Sequence, residues 1–98
     1  MNKPIKWSSF AHNDLANLLE YLEAKWNKKS CLIFLNKLDF CVDLIEKNPN
    51  LFPFFNKKLG IRKCVVTKYN TLFYKISDAK IDILRLYDTR QNDKTLKF

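Results

Sequence analysis

The apolar residues Leu15, Leu18, Leu19, Leu22 and Trp26 recur at three- and four-residue intervals, while Asn13, Asn17, Glu20 and Asn27 fall between them. That period places one stripe on one side of a helix. Ser8 and Ser9 offer cap oxygens, so the spacing predicts a helix running to about Asn27. Asn27-Lys28-Lys29-Ser30 interrupts the pattern, with Ser30 as the expected cap of a second helix. Its stripe is Phe34, Leu38, Cys41 and Ile45, widened by Cys31, Leu35 and Val42, with Asp39, Asp43 and Glu46 on a solvated face. Pro49 ends this helix near Asn48, because proline disfavours the α conformation in the residue before it. Two amphipathic helices with a short link predict an antiparallel hairpin.

Beyond Gly60, the only glycine, the period changes from 3.6 to two. Ile61–Lys68 contains Cys64-Val65-Val66-Thr67. Thr71–Ile76 alternates Leu72, Tyr74 and Ile76 against Thr71, Phe73 and Lys75. Ile81–Tyr87 alternates Ile81, Ile83, Arg85 and Tyr87 against Asp82, Leu84 and Leu86. Hairpin-length connections at Tyr69-Asn70 and Ser77–Lys80 predict a three-stranded antiparallel meander. One face should pack on the helices and the other should meet solvent or a ligand. Ile5–Trp7, after Pro4, reads as a short first strand. Residues 49–55 read as an irregular apolar connection that tucks its aromatics under the hairpin, or else as an exposed docking patch. The expected fold is α+β in the order β-α-α-β-β-β, a single domain over residues 1–98 with a polar tail that loosens from about 93.

The length of 98 residues suits one domain, and 47% hydrophobic with 29% charged residues is an ordinary globular mixture. No apolar run approaches the ~20 residues of a bilayer span, and Met1–Pro4 opens no signal peptide, so the chain reads as soluble and cytoplasmic. Charge adds more. The formal net charge is +8, yet residues 14–46 hold six acids against four bases, whereas residues 47–75 hold Lys47, Lys57, Lys58, Arg62, Lys63, Lys68 and Lys75 with no acid. This block predicts a positive surface on the sheet. Such a surface attracts nucleic acid, an acidic protein or anionic lipid, or serves only solubility. With 15 lysines and three arginines, candidates for bidentate phosphate recognition are Arg62, Arg85 and Arg90.

Cys31, Cys41 and Cys64 are odd in number, lack CxxC spacing and are accompanied by one histidine, His12. A disulfide framework, a metal site and a cofactor are therefore not expected, and the thiols read as small core residues. His12 should face solvent near the start of the first helix. Trp7 and Trp26 read as core anchors rather than base-stacking platforms.

Taken in order, Trp7-Ser8, Asp14-Leu15, Leu18, Tyr21-Leu22, Trp26 and Asn48-Pro49-Asn50-Leu51-Phe52-Pro53 resemble the RelE/ParE toxins of bacterial type II toxin–antitoxin systems. The resemblance continues through Gly60-Ile61-Arg62-Lys63, Leu72–Ile76 and Ile81–Asn92, covering roughly residues 5–93. It implies a small basic growth inhibitor, of the kind tied to plasmid stabilisation. A cognate antitoxin would neutralise it in a hetero-oligomer by wrapping an extended or helical segment around it; no membrane partner is implied. Some members cut messenger RNA in the ribosomal A site and others poison DNA gyrase, and the shared fold does not choose between them.

A ribonuclease of this type would need Lys, Arg and Tyr for its chemistry. The candidate catalytic residues are Arg62 and Lys63 on the first meander strand, Tyr87, which would offer a phenol, and Arg90 just past the last strand. Lys57, Lys58, Lys68, Lys75 and Arg85 are the candidate nucleic-acid or antitoxin contacts. Where such proteins often begin a strand Tyr-Arg, this chain reads Asn70-Thr71-Leu72, so the expected phosphate-binding arginine is replaced by Thr71. That argues for a non-nuclease of the ParE kind. The competing readings are ion pairing for Arg62 and Arg90, sheet packing for Tyr87, and for the whole chain a non-toxic binding domain that keeps the fold.

Overall fold

The computed structural model describes residues 3–90 and 96–98. The elements are β1 (Ile5–Trp7), α1 (Ser9–Lys25), α2 (Lys28–Lys47), β2 (Phe54–Asn56), β3 (Ile61–Thr67), β4 (Asn70–Ile76) and β5 (Ile81–Asp88). They form one five-stranded sheet in the order β1-β5-β4-β3-β2, with α1 and α2 packed on one face. The β3–β4–β5 meander is antiparallel, as its hairpin-length links require, whereas β1 lies parallel to β5 with Ile5 opposite Ile81. The α+β class and the predicted order hold, with one addition: Phe54–Asn56 is a short edge strand on β3 rather than irregular chain.

Caps set the helix ends. Ser8 Oγ accepts the Ala11 N–H at 3.1 Å and donates to Leu84 O at 2.8 Å, so one hydroxyl starts α1 and ties it to β5. The second cap differs from expectation. Asn27, not Ser30, caps α2 by accepting the Ser30 N–H at 2.9 Å, and only Trp26 and Asn27 separate the helices. The stripe Phe34, Leu38, Cys41 and Ile45 is buried throughout, and Leu15, Leu18, Leu19 and Leu22 pack against the same core. Trp26 does not continue that stripe. Its backbone leaves the helix at φ −124° and ψ −98°, and its side chain is 70% exposed, whereas Trp7 packs on the core as expected.

Strict alternation fails in β5 at a bulge. Phe73 pairs with Arg85 but Tyr74 pairs with Ile83, leaving Leu84 as the extra residue. Leu86 therefore joins Ile81 and Ile83 on the helix side, while Leu84 and Tyr87 join Ile61 and Phe73 on the opposite face. Gly60 occupies φ +73° at the entry to β3, a left-handed turn that side chains disfavour. Of the expected loose tail, residues 91–95 lie outside the described chain, and with them Gln91 and Asn92 of the resemblance. Leu96 packs on the Ile61–Phe73–Tyr87 cluster, and Phe98 stands edge-on to Phe73 at 5.5 Å.

Candidate functional site

The basic residues of the 47–75 block do not share one platform. Lys57 and Lys58 are exposed in the β2–β3 turn, whereas Lys68 is exposed in the β3–β4 hairpin at the other end of β3. Seven residues of strand put about 23 Å between those ends. Lys63 and Lys75 are exposed on the sheet face away from the helices, flanking Phe73 in the register Lys63↔Phe73 and Ile61↔Lys75. Cross-strand, Lys75 faces Asp82, which also pairs with Lys80 at 3.5 Å. The alternation that gives a sheet two faces has divided the charge between them.

Each arginine is engaged within the molecule. Arg62 donates to Phe52 O at 2.7 Å and Asn50 O at 3.3 Å, and its guanidinium lies 4.0 Å over the Phe54 ring. Tyr74 O–H donates to Pro49 O at 2.6 Å, so Arg62 and Tyr74 together hold the turn that follows α2. Burial pushes the Tyr74 phenol up to about 12. Arg85 makes a bidentate pair with Asp14 of α1, at 2.8 and 3.0 Å, and donates to Lys97 O at 2.7 Å. Asp14 also accepts the Leu86 N–H at 3.0 Å, where α1 replaces β1 along the edge of β5. Its hydrogen bonds to Asp14 raise the Arg85 guanidinium further above its ordinary value.

Arg90 closes a polar cleft between α1 and the ends of β4 and β5. The cleft, about 300 Å³, is lined by Asp14, Asn17, Tyr21, Asn70, Asp88 and Arg90 among others. Asp88 chelates Arg90 at 3.0 and 2.8 Å, which holds its own carboxyl below the ordinary range, and the guanidinium stacks 4.4 Å over Tyr69. Tyr87 is buried on the opposite face in an edge contact with Phe73 at 6.4 Å. Thr71, where the family's arginine was expected, is buried opposite Tyr87. Thus only Lys63 and Tyr87 of the four catalytic candidates belong to the open face, while Arg62 lies over the turn after α2 and Arg90 in the cleft beside α1.

A different feature brings residues together. β2 covers only the start of β3, ending with Lys63 N–H donating to Pro53 O at 3.0 Å. Beyond it, among the described residues, no strand covers Val65 and Thr67 on the side away from β4, and a groove runs between this edge and α2. Its larger part, about 510 Å³, is lined by Lys37, Phe40, Cys41, Leu44, Phe52 and Val65 among others, and it continues past Ile33 and Lys37 to Thr67 and Tyr69. Phe40 on α2 is 65% exposed, so the groove presents an apolar side chain to solvent, while Val65 borders it through its backbone. At its floor Cys41 Sγ donates to Val65 O at 3.8 Å, and burial beside Cys41 pushes the Cys64 thiol up to about 12. Sequence reasoning did not single out Phe40, Ile33 or Val65. The available signal was that Ile33 and Phe40 are large apolar residues lying off the α2 core stripe.

No group of His, Cys, Asp and Glu that would hold a metal occurs among the described residues, and no described helix is long and apolar enough to cross a membrane.

Residues 5–93 match the family model described as the ParE toxin of the type II toxin–antitoxin system parDE. Toxin ParE1 of Caulobacter vibrioides is 24% identical over 91 residues, covering 92% of this chain and 93% of that protein. Among solved structures, the chromosomal ParDE system from P. aeruginosa superposes with a TM-score of 0.75 at 16% identity, covering 88% of this chain and 95% of that one. The E. coli DinJ–YafQ toxin–antitoxin complex gives 0.62 at 18% identity, covering 92% and 96%. The YoeB dimer from Staphylococcus aureus gives 0.61 at 18% identity, covering 89% and 97%. With the family model spanning all but the two ends, and the fold shared with ParDE, the chain belongs to the ParE toxin family of type II toxin–antitoxin systems.

Proposed function

We propose that this chain is a growth-inhibiting toxin that acts without cutting RNA, through DNA gyrase, and that a segment of its antitoxin occupies the α2–β3 groove. The observation that carries the reading is the separation of the catalytic candidates. Arg62 and Arg90 are bound to groups of the chain itself, off the face that holds Lys63 and Tyr87. Cleavage by 2′-hydroxyl attack needs a base, a charge stabiliser and an acid within reach of one phosphate. The groove supports the antitoxin half. The open edge of β3 suits strand addition, and the exposed Ile33 and Phe40 suit apolar anchors. Lys37 in the groove and Lys68 beyond its end favour acidic residues in the occupant.

The test is expression of the chain in bacteria with and without the neighbouring gene product. Growth arrest relieved by co-expression, with intact translated messenger RNA and relaxed plasmid, is the expected result. Messenger RNA cut at codon boundaries would move the target to the ribosome, and unimpaired growth would leave a non-toxic binding domain. Phe40→Asp, at a site already in water, should abolish rescue while preserving the fold.

A further inference from the structure

The tip of the helical hairpin carries a combination that neither the fold nor the groove requires. Lys25, Lys28 and Lys29 lie within five residues, all exposed, and none forms an ion pair among the described residues. Glu23 is the nearest acid along the chain. Between them Trp26 is 70% exposed, more than any other large apolar side chain described, and Leu32 one turn into α2 is 62% exposed. The backbone at Trp26 is fixed: its N–H donates to Leu22 O at 2.9 Å, and Asn27 caps the next helix immediately after it.

Lys28 and Lys29 occupy the first turn of α2, which has no acidic residue. Cations there oppose the helix dipole, so their presence costs α2 stability. A flat aromatic face beside unpaired ammonium groups matches the arrangement that stacks a base and neutralises phosphates. Lysine is depleted in protein–protein interfaces, where arginine is enriched, so an all-lysine ring favours a nucleic-acid partner over an acidic protein.

We propose that the hairpin tip docks single-stranded nucleic acid, with a base stacked on Trp26 and phosphates on Lys25, Lys28 and Lys29. This rests on the tip alone and does not depend on the antitoxin or target proposed above.

The experiment titrates the full chain, carrying Trp7→Phe so that Trp26 is the remaining tryptophan, with a fluorescein-labelled oligothymidylate. Binding is followed by anisotropy and by tryptophan emission. The expected result is quenching that tracks binding, with log affinity falling against log salt at a slope of about −2, as three phosphate contacts to a single strand give. Trp26→Ala should weaken binding about tenfold or more. Lys28→Glu/Lys29→Glu should nearly abolish it while the thermal midpoint holds or rises, because acids suit that helix end. The last readout separates lost contacts from lost folding. Equal affinity in the variants, binding without Trp26 quenching, or capture by anionic vesicles but not by the oligonucleotide would each overturn the proposal.

Discussion

Replacing Asp14 with alanine should destabilise this protein more than any other single surface change. Its carboxylate accepts three hydrogen bonds from β5, two from the Arg85 guanidinium at 2.8 and 3.0 Å and one from the Leu86 N–H at 3.0 Å. The Arg85 and Asp14 side chains are only 17% and 16% exposed. Removing one partner of a buried pair costs about 3–5 kcal/mol, because the other charge is left without compensation. The remaining water access to the guanidinium, and its separate bond to Lys97 O, place Asp14→Ala at the low end, about 3 kcal/mol. At about 4–8 °C per kcal/mol for a domain of this size, the midpoint should fall by roughly 12–24 °C. Calorimetry of Asp14→Ala, Arg85→Ala and the double variant provides the check. The double variant should lose markedly less than the sum of the singles, since it leaves no stranded charge. Salt at 0.5 M should change the coupling little, because a shielded pair is weakly screened. A midpoint loss under 4 °C for Asp14→Ala, or simple additivity, would refute the reasoning.

Three further outcomes are expected. Gly60→Ala should cost about 1–2 kcal/mol in urea titration through its φ of +73° alone, because the nearest atom to a new Cβ is the flexible Lys75 Cε at 3.9 Å. Alkylation with iodoacetamide at pH 8, read by mass spectrometry, should modify the half-exposed Cys31 first. Cys64, at about 12, should react only on unfolding, and prompt native labelling of Cys64 would contradict its placement. Arg90 holds the Asp88 carboxyl below its ordinary 3.8. Its contribution to stability is therefore complete above that value and lost as pH falls through the lower folded value. Asp88→Asn should accordingly flatten the acid limb of a stability–pH curve below about pH 4.

What could be read from the residues was whatever a single periodicity encodes. The α2 stripe of Phe34, Leu38, Cys41 and Ile45 is buried in full, and Leu72, Tyr74 and Ile76 face the helices as alternation requires. The departures arise where a residue's environment is made by a distant part of the chain. The bulge at Leu84 exchanges the faces of Leu86 and Tyr87, and nothing local in Ile83-Leu84-Arg85 announces it. Phe54–Asn56 becomes a strand only because β3 offers it an edge. Trp26 continues the α1 pattern on paper, but Asn27 takes over as cap and turns the chain one residue too soon. The candidate site fared similarly: charge could be counted along the sequence, but whether a cation is free or engaged depends on partners up to 71 residues away, as for Arg85 and Asp14.

That distinction bears on what the molecule can do. All three arginines, the side chains suited to directional phosphate chemistry, serve the fold: Arg62 on the turn after α2, Arg85 on α1 and Arg90 on Asp88. Lysines supply the remaining charge, and among the described residues only Lys80 has an ion-pair partner. A lysine held by no partner contributes field and phosphate affinity without fixed geometry. If the two proposals hold, the cationic character of this protein would serve attraction and docking, while shape-dependent recognition would lie in apolar features, the α2–β3 groove and the exposed Trp26. On this division, a Lys→Arg exchange at Lys63 or Lys75 should leave growth inhibition unchanged, while Phe40→Asp should break antitoxin rescue. The opposite pattern would mean that the open face of the sheet, not the groove, is where recognition is decided.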